Sequence, residues 1–161
     1  MANLVYLQPG TALTWLASGG DNLLTLTSLA ATSGRNGALD DFGTAAVARE
    51  YAWRFWCKFS TTPVVGEQIE IYWRTSDGTS PDNDDGGDVA LSSTDKLRNL
   101  IALGALVVDE ASTTPVFACS GYLEHTHRYG GPVIYNATAD ALSSTAADHG
   151  FSILPVPYEV Q

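Results

Sequence analysis

Apolar and polar residues alternate with a period of two through the middle of the chain, most clearly in Tyr51-Ala-Trp-Arg-Phe-Trp-Cys-Lys-Phe59. Successive side chains on a strand point to opposite faces of a sheet, so this run predicts a strand with Tyr51, Trp53, Phe55, Cys57 and Phe59 inward and Arg54 and Lys58 outward. Gln68-Ile-Glu-Ile-Tyr-Trp-Arg74 repeats the pattern, with Ile69, Ile71 and Trp73 inward and Gln68, Glu70, Tyr72 and Arg74 outward. Thr61-Thr-Pro-Val-Val-Gly66 connects the two runs.

Further strands are expected at Leu13–Ala17, Asn22–Ser28, Gly104–Asp109, Val116–His127, Pro132–Asn136 and Gly150–Val156, each bounded by Gly, Pro, Asn, Asp or Ser. One short helix is expected after Ser93, with Asp95 in its first turn, Leu97, Leu100 and Ile101 at helical spacing, and Gly104 as its stop. Pro155 and Pro157 remove backbone donors at alternate positions of the last strand, which predicts an edge strand whose free groups, along Leu154, Val156, Tyr158 and Val160, form an assembly surface. About eight strands of uneven length with long loops predict an all-β fold, an antiparallel β-sandwich of jelly-roll type with one short helix. A single domain over residues 1–161 is expected, with an extended N-terminal segment and the C-terminal edge strand.

Length agrees with one domain, since 161 residues support one core and leave little room for two. Four Trp, seven Tyr and five Phe supply bulky bodies for the space between two sheets. Charged residues make up only 16% of the chain, below the roughly 25% of an average soluble domain, so Ser, Thr, Asn, Gly and Ala must cover much of the surface. Net charge is −10, with no Lys/Arg cluster to offset it, which argues against a nucleic-acid partner because approach would begin with repulsion from phosphates. The longest apolar run, Leu100–Val108, is far short of the roughly 20 residues that cross a bilayer, and Met1-Ala-Asn-Leu-Val has no secretory signal pattern, so no membrane association is expected. Cys57 and Cys119 match no zinc or redox spacing and are expected as buried free thiols.

The acidic loop Asp77–Asp88 is the first candidate for chemistry. Asp82, Asp84, Asp85 and Asp88, with Asn83 among them, are hard oxygen donors suited to calcium, although the ligand order of an EF-hand is missing. Turn-forming composition explains the same residues without a metal. His125 and His127 fall on one face if the strand continues through them, a geometry open to a transition metal, yet a cupin's following Glu is replaced by Arg128-Tyr-Gly-Gly-Pro. Trp56 and Tyr72, both outward, would form an aromatic patch if their strands paired. No nucleophile elbow is present, no two carboxylates can be assigned to a cleft, and Asn136-Ala-Thr138 is a sequon only in form. No catalytic residue and no cofactor is therefore expected.

The tail, Arg128-Tyr-Gly-Gly-Pro-Val-Ile-Tyr-Asn-Ala-Thr-Ala-Asp-Ala-Leu-Ser-Ser-Thr-Ala-Ala-Asp-His-Gly-Phe-Ser-Ile-Leu-Pro-Val-Pro-Tyr-Glu-Val-Gln161, has two strand-forming runs joined by a loop of small residues. It resembles the C-terminal blocks of small virion structural proteins of tailed bacteriophages, as does, more loosely, the Glu67–Arg74 strand with its acidic loop. The resemblance implies a non-enzymatic capsid decoration, cement, minor capsid or small tail protein, made in the host cytoplasm and carried in the virion, that associates with copies of itself and with other virion proteins. The alternatives are a carbohydrate-binding module, with exposed aromatic platforms for sugar rings, or a tail-associated receptor-binding component.

Overall fold

The computed structural model describes the backbone of residues 5–7, 10–43, 48–156 and 158–160, and the side chains within 10–43 and 48–156. In chain order the strands are β1 (Val5–Leu7), β2 (Leu13–Leu16), β3 (Asn22–Leu23), β4 (Ser33–Asn36), β5 (Asp40–Asp41), β6 (Glu50–Cys57), β7 (Gln68–Ser76), β8 (Val89–Ala90), β9 (Ile101–Val107), β10 (Phe117–Glu124), β11 (Tyr129–Asn136), β12 (Gly150–Pro155) and β13 (Tyr158–Val160). Two 3-10 helices, Thr94–Asn99 and Ala146–Asp148, interrupt them.

Alternation decides the inner face of each long strand. In β6, Tyr51, Trp53, Phe55 and Cys57 are buried, and in β7 so are Ile69, Ile71 and Trp73. Burying each such aliphatic or Phe side chain stabilises the fold by roughly 1.5–3 kcal/mol. The two inner faces meet through Trp15, whose ring lies edge-on to Trp73 with centroids 5.7 Å apart, while Trp53 stacks on Phe151 at 6.2 Å.

One sheet has the order β10-β6-β12-β2-β3 and the other β8-β4-β11-β7-β9, with β5 also on β11. Eight strands carry the sandwich: β2, β4, β6, β7, β9, β10, β11 and β12. Numbered one to eight in that sequence, they run sixth-third-eighth-first in one sheet and second-seventh-fourth-fifth in the other. That interleaving of two Greek keys is the jelly roll, and the expected all-β sandwich of about eight strands is the fold observed. Among the described residues, all strand pairings are antiparallel except β2 with β3.

Several local expectations are corrected. Of Asn22–Ser28 only Asn22–Leu23 pairs, because the chain there crosses between sheets; alternation persists in Leu24 and Leu26, which are buried in the core. The helix after Ser93 ends at Asn99, and Ile101 already belongs to β9, so the strand expected from Gly104 begins three residues earlier. Similarly, β11 starts at Tyr129 rather than Pro132.

The last long strand is not an edge: β12 pairs with β6 on one side and β2 on the other. Pro155 fits there because it is the final residue of β12, beyond the last β2 pair, and only its carbonyl is used, accepting from Gly10 N at 3.0 Å. Leu154 therefore lies in the interior of a sheet, and Val156 N donates to Glu50 O at 3.0 Å. Tyr158 and Val160 pair instead with Leu7 and Val5 in a separate two-stranded ribbon, and their side chains, like Pro157, lie outside the described residues.

Candidate functional site

The acidic loop folds back over the outer face of the β4-β11-β7 sheet. Arg74 points outward, as alternation requires, yet is fully buried because the loop covers it. Its Nη1 donates to Asp85 O at 2.6 Å and to Asn83 Oδ1 at 3.3 Å; Nη2 donates to Gly37 O at 2.6 Å and to Gly86 O and Gly87 O, each at 3.1 Å. Burial pulls its pKa down to about 10, with the Asp85 charge acting in the opposite direction, so it stays cationic at neutral pH. Carbonyls that would suit a metal ion are thus turned onto a guanidinium.

The carboxylates do not converge as a calcium site requires. Asp82 Oδ2 accepts from Thr75 N and Oγ1 at 2.8 and 2.6 Å. Asp84 is exposed, on a turn with φ of 54°. Asp85 accepts from Lys96 Nζ and Ser92 Oγ at 2.8 Å each and from Asn36 Nδ2 at 3.2 Å. Asp88 accepts from Arg35 Nε at 2.7 Å and from Thr25 N and Oγ1 at 3.0 and 2.6 Å. Burial pushes Asp85 and Asp88 upward, but these donors outweigh it and hold both below the ordinary carboxylate value. Among the described residues, no group of three or more His, Cys, Asp or Glu is placed to hold a metal ion.

Trp56 and Tyr72 do not form a patch. Strands β6 and β7 belong to different sheets, so outward residues on them lie on opposite sides of the sandwich. Trp56 is half-buried in a cleft of about 350 Å³ with Leu16, Ser18, Ala146 and Ala147. The Tyr72 hydroxyl donates to Glu70 Oε2 at 2.6 Å, and burial together with that carboxylate pushes its pKa up to about 12.

The two histidines separate as well. β10 ends at Glu124, after which His125 turns into the core while His127 is exposed. His125 packs against Phe42, Tyr51 and Trp73, with the Phe42 centroid at 4.3 Å. Asn136, fully buried, donates through Nδ2 to the carbonyls of Leu29, Ala30 and Asp140, so the apparent sequon is a structural clamp. Cys57 and Cys119 are free thiols on neighbouring strands, and burial raises the pKa of both.

A second cleft of about 350 Å³ opens where β6 begins and β12 ends, lined by Gly10, Leu13, Phe42, Tyr51 and Pro155 with Asp40 and Asp41. Arg128 grips Asp41 with two bonds of 2.8 Å, which hold that carboxyl down at about 2. Gly10 and Pro155 stand near the ribbon of β1 with β13, so this end of the sandwich combines an apolar recess with a strand pair outside both sheets.

The residues that organise the outer face, Arg74 and Asn36, carried no sequence signal of their own. Compared with known proteins, the chain matches no family model, and no curated protein matches it significantly.

Proposed function

We propose that this chain is a non-enzymatic structural component of a tailed-phage virion, a capsid decoration, cement or minor capsid subunit that works by protein-protein assembly. One observation carries the assembly role: among the described residues, β1 and β13 pair with each other and with no strand of either sheet of the sandwich. A lone two-stranded ribbon is marginal in water, and cover from a neighbouring subunit is what stabilises it. A net charge of −10 directs such contacts toward protein rather than nucleic acid. The fold itself does not choose among functions, because sandwiches of this kind host many; the virion assignment rests on the likeness of the tail to phage structural proteins. For the carbohydrate-binding alternative, Trp56 and Tyr72 cannot form one platform, since they lie on opposite outer faces, whereas Tyr72 and Tyr135, on neighbouring strands, share a face.

Removing residues 158–161 tests this reading, because that deletion takes away the ribbon and leaves β12 whole. The truncated chain should keep its β spectrum and melting temperature and fail to enter phage particles, as read by mass spectrometry of purified virions. Undiminished incorporation, or a full chain that never occurs in particles and binds a polysaccharide tightly, would refute it.

A further inference from the structure

The outer faces of the two sheets differ. The loop over Arg74 covers one of them and carries Asp82, Asp84 and Asp85 to that side of the molecule. The outer face of β10-β6-β12 presents, in successive cross-strand rows, Tyr122-Ala52-Leu154, Ser120-Arg54-Ser152 and Ala118-Trp56-Gly150. A polar row with a cation at its centre thus lies between two rows that each hold an aromatic ring. The chain has eight Lys and Arg in all. Carboxylates hold Arg35, Arg49, Lys58, Lys96, Arg98 and Arg128, and backbone carbonyls hold Arg74. The remaining cation, Arg54, is exposed and has no ion-pair or hydrogen-bond partner among the described residues, and the hydroxyls of Ser120 and Ser152 on either side of it have none either.

The rings beside Arg54 are accessible. Trp15, Trp53 and Trp73 are buried in the core, whereas Trp56 keeps part of its ring exposed and Tyr122 is 79% exposed. A side chain at Gly150 would place its first carbon 2.3 Å from Trp56 Cζ2 and 2.6 Å from Leu16 Cδ2. Glycine there lets the indole reach across β12, where it forms part of the cleft of about 350 Å³ shared with Leu16, Ser18, Ala146 and Ala147. That volume lies within the roughly 300–1,000 Å³ of small-ligand pockets. Trp56 and Tyr122 stand four residues along and one strand across from each other, roughly 14 Å, which is longer than one sugar ring.

We infer that this face binds a short saccharide that bears a carboxylated sugar. The planar fork of Arg54 receives the carboxylate, Ser120 and Ser152 exchange hydrogen bonds with sugar hydroxyls, and Trp56 and Tyr122 take the C–H faces of the rings on either side. The chain's net charge of −10 lies away from Arg54. Glu50 and Glu124, opposite each other at one end of the face, are roughly 14 Å along the strands from it, beyond the screening length of about 8 Å at physiological salt. Glu124 is paired with Arg49, Asp148 at the other end with Lys58, and Asp21 is bonded to Thr14 two strands away. A polyanion would meet the whole charge of the protein, whereas an isolated carboxylate meets its immediate surroundings, where the free group is a cation. A peptide strand would dock on a sheet edge or in a long apolar groove, and a face of hydroxyls around one guanidinium is neither.

Titration of the purified full chain tests the site, which adds a ligand to the virion role without depending on it, so failure here leaves the particle experiment untouched. The probes are 3′-sialyllactose against lactose, methyl glucuronide against methyl glucoside, and a hexaglutamate peptide, followed by calorimetry and tryptophan fluorescence. At least one acidic sugar should bind saturably and at least about tenfold more tightly than its neutral partner, the worth of one charge-assisted bidentate contact. Arg54→Gln should lower that affinity by at least about tenfold with the β spectrum and melting temperature kept, and Arg54→Lys should lower it less, because an ammonium keeps the charge and loses the fork. The fluorescence change should disappear in Trp56→Phe, since the other three indoles are buried. Arg98→Gln, an exposed base bonded to Asp95, should bind as wild type does. Absence of saturable binding by either acidic sugar, equal affinity for the neutral partners, tighter binding of hexaglutamate, a folded Arg54→Gln variant with unchanged affinity, or a fluorescence change that persists in Trp56→Phe would overturn the inference.

Discussion

Trp73 Nε1 donates to His125 Nδ1 at 3.2 Å, inside the core. An indole nitrogen is only a donor, so Nδ1 must be the acceptor and the imidazole proton sits on Nε2. Protonating Nδ1 would break that bond and place a cation among Phe42, Tyr51 and Trp73. Burial accordingly lowers the His125 pKa to about 4, and the neighbouring His127 acts in the same direction.

This depression makes stability depend on pH. A histidine whose folded pKa lies below its unfolded value of about 6.5 contributes stability that is complete above 6.5 and is lost as pH falls from there toward 4. Between pH 7 and pH 5 the folded state should lose about 2 kcal/mol from His125. His149, also buried and shifted down chiefly by desolvation, adds loss of the same sign. Urea unfolding at pH 7, 6 and 5 measures the slope, and His125→Phe should flatten it, leaving the His149 share. An unchanged slope in that variant would exclude His125 as the source. Asp85 and Asp88 act in a separate, more acidic window: held below the ordinary carboxylate value, they contribute stability that is lost only as pH falls through and below about 4.

Arg74 is the post on which the acidic loop hangs. Arg74→Ala would leave the carbonyls of Gly37, Asp85, Gly86 and Gly87 without their donor beneath a loop that excludes water. The expected cost is about 3–5 kcal/mol, comparable to breaking a buried ion pair from one side. Calcium should not rescue the variant. Thermal unfolding with and without the ion checks both statements, and protease cleavage within residues 77–88 should rise in step with the destabilisation.

Gly130 is held by close approach. A methyl group there would stand 2.5 Å from Trp73 Cζ2 and 2.8 Å from His125 Cε1. Both rings are fixed by packing and by their mutual hydrogen bond, so they cannot move aside as a flexible chain end would. Gly130→Ala should therefore cost about 1–3 kcal/mol, as overpacking of a dense core does. Ala at the exposed Gly86, with no atom within 4 Å of the added carbon, is the matched comparison and should unfold close to wild type.

The sequence by itself determined the strands whose inner face is apolar. Tyr51–Cys57 and Gln68–Trp73 were readable because the pleat fixes a period of two residue by residue, and burial then filters for that period. Strands without an apolar stripe left no such mark. In Ser33-Gly-Arg-Asn36 the buried positions are Gly34 and Asn36, which hydropathy does not flag. The same limit hid Asp40–Asp41, held to β11 through its backbone.

Tertiary structure alone decided which strands became neighbours. Alternation says that Trp56 and Tyr72 both face outward, and it is silent on whether their strands share a sheet; the jelly roll sends them to opposite faces. It also brought residues 77–88 over Arg74, converting an outward cation into a buried one and ion-like donors into its hydrogen-bond partners. Prolines at 155 and 157 suggested an edge, but a missing donor matters only where a partner strand stands opposite, and at Pro155 the β2 pairing has already ended. Inward and outward are local properties of the backbone, whereas neighbour, cover and edge are set by contacts between segments far apart in the chain, which no single window of residues contains.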